Sequence, residues 1–247
     1  MSLITGQEFM RKTRYQEMGT SPQRQGLPQP PLELPYPVDA ELIALPDHDL
    51  IEIPAVSLQK IIEGRRSVRQ YAEKPLSLEE LSYLLWLTQG IQSVSERPAT
   101  ARTVPSAGAR HAFETYLLIN AVKGLQPGLY RFIALEHALL PLALDPGLNE
   151  KITKACLDQS HVHNSAVTFM WVAVVERMAW RYQERGYRYM HLDAGHVCQN
   201  LYLAAESIDC GVCAIAAFDD DLLNAALELD GDNLFAIYAA SLGKKRG

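Results

Sequence analysis

The sequence has no GxGxxG turn, no GxxxxGK[ST] loop and no GxSxG elbow. Neither a dinucleotide-binding Rossmann turn, a P-loop nor a hydrolase nucleophile elbow is therefore indicated. Basic residues are in deficit: 23 Lys and Arg stand against 29 Asp and Glu, a formal net charge of -6. That balance argues against general nucleic-acid binding, which wants a basic face. The longest apolar stretch, 166–175, is too short to span a bilayer. The N-terminus lacks the basic-then-apolar order of a signal peptide. The expectation is a soluble, cytoplasmic protein with no membrane segment.

Cysteine is scarce as well. Cys156, Cys198, Cys210 and Cys213 show no disulfide framework. Cys210 and Cys213 form one CxxC, but a zinc site needs a second pair or histidines at ligand spacing. A redox CxxC is expected at a helix N-terminus, where a thiol pKa is depressed. This one falls where a helix ends and an apolar strand begins, so the cysteines are expected to be buried and structural. His161 and His163 alternate and would face one side of a strand. His191 and His196 lie five apart on a helical pattern, which splits them between faces. No metal site is expected.

What is present is concentrated in one run, Gly64-Arg65-Arg66-Ser67-Val68-Arg69-Gln70-Tyr71. Arg65, Arg66 and Arg69 bring forked, permanently charged donors suited to phosphate, and Ser67 adds a hydroxyl. The run follows a short apolar-periodic segment and precedes Pro75, so it reads as the turn after a helix. A solvated basic turn and an anion site are both compatible with it.

The chain divides by composition. Residues 1–56 read as a proline-rich extended arm, with Pro22, Pro28, Pro30, Pro31, Pro35 and Pro37 forbidding helix over 20–37. Apolar residues among them favour a segment plastered on a surface or on a partner. The globular domain is expected over 57–247. Ser57 caps a helix to Gly64, and Ser77-Leu78-Glu79-Glu80 is a capping box for a helix ending at Gly90. Residues 92–112 read as loop. Strands are predicted over 115–121, 128–133, 166–175, 212–217 and 234–242. Helices are predicted over 146–157, 178–184, 187–207 and 219–229. The helix over 187–207 is rich in small residues, which suits a central helix or a subunit interface. The irregular alternation of elements favours α+β over a doubly wound parallel sheet.

Two further stretches could carry chemistry. Pro105-Ser106-Ala107-Gly108-Ala109-Arg110-His111 is a small-residue loop whose backbone can approach a planar ring. Residues 211–219 form a glycine- and alanine-containing strand running into a turn, again with exposed backbone. Lys244, Lys245 and Arg246 end the chain as a cationic tail.

Taken in order, RRSVRQY, PSAGARHAFETYLL, RYQERGYRYMHLDAGHVCQNLYLAAES, IAAFDDDLL and YAASLGK resemble the FMN-dependent nitroreductase superfamily. The proline-rich lead-in and DAGHVCQNLYLAAE are similar to its SagB-type branch of thiazoline/oxazoline dehydrogenases. The resemblance covers about 57–243. It implies a nitroreductase-like fold: a central, mostly antiparallel sheet flanked by helices, with the long helix at a homodimer interface. It also implies FMN as cofactor and NADH or NADPH as electron donor. Arg65 and Ser67 would hold the phosphate and ribityl end, with Arg66 beside them, and Arg69 would lie near the pyrimidine edge. Pro105, Ser106, Ala107 and Gly108 would line the ring from the other subunit, and Ala216 and Ala217 would present backbone to it. The family's late phosphate-binding pair has only Lys244, Lys245 and Arg246 as candidates here. Azoline-oxidising members carry a Lys-Tyr pair before the central helix. This chain has Arg181-Tyr182, and arginine does not deprotonate in proteins. Arg69 and Tyr182 are the expected catalytic residues. The expected reaction is ping-pong reduction of a nitroaromatic or quinone. The alternatives are azoline-to-azole oxidation on a modified peptide and a non-catalytic flavin-binding protein. The arm is expected to cross onto the partner subunit.

Overall fold

The computed structural model describes residues 4–96 and 99–246. Its elements, in chain order, begin with α1 (Ile4–Lys12), β1 (Ile43–Ala44), α2 (Leu58–Gly64) and α3 (Leu78–Gln89). A small hairpin, β2 (Ile91–Val94) and β3 (Thr100–Arg102), precedes three long strands. These are β4 (Phe113–Ile119), β5 (Gly128–Ile133) and β6 (Ala138–Ala143). Then come α4 (Leu148–Ala155), α5 (Ser160–His163), β7 (Val167–Val174), α6 (Val175–Tyr182) and α7 (Gly186–Ser207). The chain closes with β8 (Cys210–Ile215), α8 (Asp220–Ala226) and β9 (Leu234–Lys244).

Seven strands form one sheet in the order β1-β6-β5-β4-β7-β9-β8, and every neighbouring pair is antiparallel. The fold is the expected α+β, nitroreductase-like arrangement. The central strand β7 explains why its sequence reads as a continuous apolar run. Phe169, Trp171 and Ala173 point into a core roofed by α3 and α7, while Met170 and Val172 point into a second core with α4 and α8. Both faces are covered, so the usual polar alternation is lost.

Local signals set the helix starts. Ser77 accepts from Glu80 N while the Glu80 carboxylate accepts from Ser77 N, the capping box read from the sequence. Ser57 and Asp219 cap α2 and α8 through their side-chain oxygens. Three expectations are corrected. Residues 92–112 contain the β2–β3 hairpin rather than loop alone. His161 and His163 stand on the helical turn α5, not on a strand. The region ahead of residue 20 forms α1, where prolines are absent, while β6 was missed because Pro141 interrupts its pattern.

The arm lies on its own domain. Between residues 23 and 35 its backbone is taken up by buried or half-buried side chains of the sheet and of α6. Glu114 Oε1 accepts from Leu34 N at 2.8 Å and from Arg177 Nη2 at 2.5 Å. Arg177 Nε donates to Pro31 O, and Arg131 Nη2 donates to Leu34 O and Pro35 O. Glu33 Oε1 accepts from Ala134 N. Proline cannot donate, so a proline-rich segment offers mainly carbonyls, and the domain meets them with arginine. The expectation that the arm crosses to a partner is replaced, for this segment, by an intrachain strap. Glu114 and Arg177 are each only 3% exposed. Breaking such a pair leaves a buried charge unmatched and costs about 3–5 kcal/mol. Arg177→Met should therefore lower unfolding stability by that order in urea titration. Loss below about 1 kcal/mol would mean the pair does not hold the strap.

Candidate active site

The arginine run attaches to the sheet's edge. Beyond β8, Ser67 forms a parallel bridge with Val212, and Val68 N donates to Val212 O at 2.9 Å. Gly211 permits this approach, since a Cβ there would stand 2.6 Å from Val68 Cβ. Strand geometry then turns Ser67 and Arg69 to the same side. Tyr202 on α7 meets them: its hydroxyl accepts from Ala214 N at 2.8 Å and lies 3.0 Å from Ser67 Oγ. Arg65 lies over the same ring, its guanidinium carbon 5.2 Å from the centroid. One tyrosine thus positions both an arginine and a serine.

The guanidinium groups of Arg65 and Arg69 form no hydrogen bond and no ion pair among the described residues. Arg69 faces Cys213 and His161. Burial pushes the Cys213 thiol up and the His161 imidazole down, and the nearby Arg69 charge favours the thiolate and opposes protonation of His161. A guanidinium without a partner beside a hydroxyl pair is a donor set of the kind that suits an anion such as a phosphate.

The other cations are committed elsewhere. Arg66 Nη1 donates to Glu63 O and Arg65 O, capping the end of α2. Lys244 is buried, paired with Glu80 and donating to Ile208 O. Lys245 pairs with Glu206. Arg246 donates to Tyr71 O and Gln70 Oε1. Arg66, Lys244 and Arg246, expected to contact a cofactor, each hold secondary structure together in this chain. Ala216 and Ala217 are exposed just past β8, and Ala217 O accepts from Gln159 Nε2.

A second cluster forms at the other half of α7. Asp193 accepts from Ser106 Oγ at 2.6 Å and from Ala107 N at 3.2 Å, fastening the small-residue loop to the helix. His111 N donates to Ser106 Oγ. Gly108 has φ +60°, and a Cβ there would overlap the Tyr182 hydroxyl. The loop therefore seats against Arg181-Tyr182 through a position that only glycine fits without strain. Pro105 is exposed and Ser106, Ala107 and Gly108 are half-buried. Asp193 and Tyr202 were missed as site residues. Their signal was a polar group on the buried face of an otherwise apolar helix stripe.

Asp193 and Tyr202 are nine residues apart, roughly 13 Å along the helix at 1.5 Å per residue. One chain keeps the two clusters separate. α7 also presents an open face: Leu192 is 60% exposed, and a Cβ on Gly195 would meet nothing within 4 Å.

A family model, the nitroreductase family, matches residues 62–244. The chain belongs to the nitroreductase family. A nitroreductase-like protein of Methanocaldococcus jannaschii is 35% identical over 191 residues, covering 77% of this chain and 91% of that protein. The trifolitoxin-processing protein TfxB of Rhizobium leguminosarum bv. trifolii is 26% identical, over 61% of this chain and 41% of its own length. The chain thus spans less than half of that relative. The solved Escherichia coli microcin synthetase McbBCD complex with truncated pro-MccB17 bound contains a chain of the same fold. It gives a TM-score of 0.62 with 18% identity, covering 99% of this chain and 92% of that one. The family membership makes this chain an oxidoreductase of nitroreductase type, with relatives on the SagB-type branch.

His111 gives the site region a pH signature. Burial, reinforced by Arg102, pushes its imidazole down to about 3. The unfolded chain binds a proton between pH ~6.5 and ~3 that the folded chain refuses, so stability falls as pH drops through that window. His111→Gln should flatten this part of the stability–pH curve in chemical denaturation. An unchanged slope would show that His111 protonates freely in the fold.

Proposed function

We propose that this chain is an FMN-dependent oxidoreductase working as a homodimer. In this reading it takes two electrons from NADH or NADPH and passes them, ping-pong, to a flat conjugated acceptor such as a nitroaromatic or quinone. The observation that carries the reading is a pair of guanidiniums without a partner among the described residues: Arg65, over the Tyr202 ring that meets Ser67, and Arg69, near Cys213 and His161. When bound, FMN supplies the two-electron chemistry. Arg65 and Ser67 hold the phosphate and ribityl end, and Arg69 places positive charge where negative charge develops on reduction. Pro105 to Gly108 of the other subunit close the ring side. The exposed α7 face around Leu192 and Gly195, with Leu58 and Ile62 exposed on α2, supplies the apolar surface of that dimer.

A second reading has its own support. Tyr182 stands against Gly108, where its hydroxyl could serve as the base in oxidation of a peptide azoline to an azole. Relatives named for trifolitoxin processing, and a fold neighbour solved with a bound pro-peptide, favour keeping it. Arg181 cannot act as that base, so in this reading Tyr182 acts alone.

The test is flavin titration followed by anaerobic turnover with NADH and NADPH. Arg65→Ala should weaken FMN binding roughly 10- to 100-fold, the equivalent of ~1.5–3 kcal/mol for a charge-assisted bond. Wild-type affinity in that variant would remove the phosphate assignment. FMN binding with no turnover in either direction would leave a flavin-binding protein. Azole formation on an azoline peptide, without acceptor reduction, would select the second reading.

A further inference from the structure

Next to the Tyr182 cluster lies a recess that the reading above does not use. Its walls are Tyr15, Ser21, Gln23 and Arg24 from the N-terminal segment, and Arg181 and Tyr182 from α6. The segment is fixed in place rather than draped. Gln23 N donates to Trp180 O at 2.9 Å, Gln183 Nε2 to Thr20 O at 2.8 Å, and Arg185 Nη1 to Thr13 O at 2.9 Å. A third guanidinium stands behind the recess. Arg110 Nε donates to Gly108 O, and its guanidinium carbon lies 5.2 Å from the Trp180 ring centroid. Burial, and then the charge of Arg181, hold Arg110 below the ordinary arginine range.

The charge balance here is one-sided. No carboxylate lines the recess, although the chain carries 29 of them. The nearest acidic residues in sequence, Glu17 and Glu184, are not among its walls. Among the described residues, the guanidiniums of Arg24 and Arg181 form no hydrogen bond and no ion pair; Arg181 only lies over its neighbour Tyr182. Arg24 and Arg181 are both exposed, and an oxyanion in the recess they line would meet two forked donors with no carboxylate among the lining residues to compete for them. Tyr15, Ser21 and Gln23 add neutral donors around the same space.

We propose that this recess binds the oxyanion, a carboxylate or phosphate, of the substrate that reacts beside Tyr182. The preferred substrates are then acidic molecules, with the arm's Arg24 and α6's Arg181 as specificity-determining residues. The inference deepens the proposed function and rests on it: Tyr182 stands against Gly108 of the small-residue loop that closes the ring side in that reading.

Two matched pairs test it in the full-length holoenzyme at low ionic strength. One pair is 4-nitrobenzoate against 4-nitrobenzamide as acceptor, and the other is NADPH against NADH as donor. The expected result is a preference of about tenfold or more for the more anionic member of one pair, carried by KM and shrinking with added salt. The pair that shows it identifies which substrate brings the oxyanion. Arg24→Gln and Arg181→Gln should each reduce that preference severalfold, with the larger loss falling on the anionic member. No preference in either pair overturns the proposal.

Binding is read separately through the fluorescence of Trp180, titrated with sodium benzoate and with inorganic phosphate. Saturable change in the wild type, absent in Trp180→Phe and shifted about tenfold or more to higher concentration in Arg181→Gln, supports the recess even if no turnover is found. In that case the reductase reading fails alone. Turnover with no charge preference and no saturable anion effect removes the recess and leaves the reductase reading intact.

Discussion

The arrangement depends on two guanidinium groups kept without a counter-charge at the edge of an antiparallel sheet. Among the described residues neither Arg65 nor Arg69 forms an ion pair, in a chain that carries 29 acidic side chains. The edge strand β8 sets their position: Val68 pairs with Val212, Gly211 makes room, and Tyr202 supports Arg65 and Ser67 from α7. The remaining cations of the region are used up in structure. Arg66 caps α2, Lys244 pairs with Glu80, and Lys245 pairs with Glu206. That division separates charge that holds the fold from charge offered to a ligand.

The long helix α7 organises everything else. Its buried face carries two polar residues, Asp193 and Tyr202, and each anchors one cluster of the site. The helix keeps the clusters about 13 Å apart within one chain. Its exposed face carries Leu192 and Gly195. The arm adds a third contribution. It is strapped to the sheet by Arg131 and Arg177, and its Arg24 lines the same recess as Tyr182.

Much of this was legible in the sequence, for identifiable reasons. The capping box at Ser77 and the apolar run of β7 are local signals, and local structure follows them. The arginine run was readable because three guanidiniums within five residues are chemically conspicuous. What sequence reasoning could not separate was the fate of each arginine: Arg66 turns back on α2 while Arg65 and Arg69 stay free, a difference of side-chain direction and not of type. Lys244 looked like an exposed tail cation, but β9 runs to its position and buries it. His161 and His163 looked like a strand pair because alternation over three residues is too short to distinguish a strand from one helical turn. Asp193 gave a signal that was passed over: an acid on a buried helix stripe needs donors, and the Ser106-Ala107 loop supplies them.

The most direct test of the shared site is a hybrid dimer of Arg65→Ala and Gly108→Val subunits, assayed for bound FMN against each parent homodimer. If each site joins the arginine run of one subunit to the small-residue loop of the other, both parents bind weakly. The hybrid then recovers one intact site, because both lesions fall in the same composite pocket. If the hybrid binds no better than its parents, the two clusters do not form one site across a dimer, and the account fails.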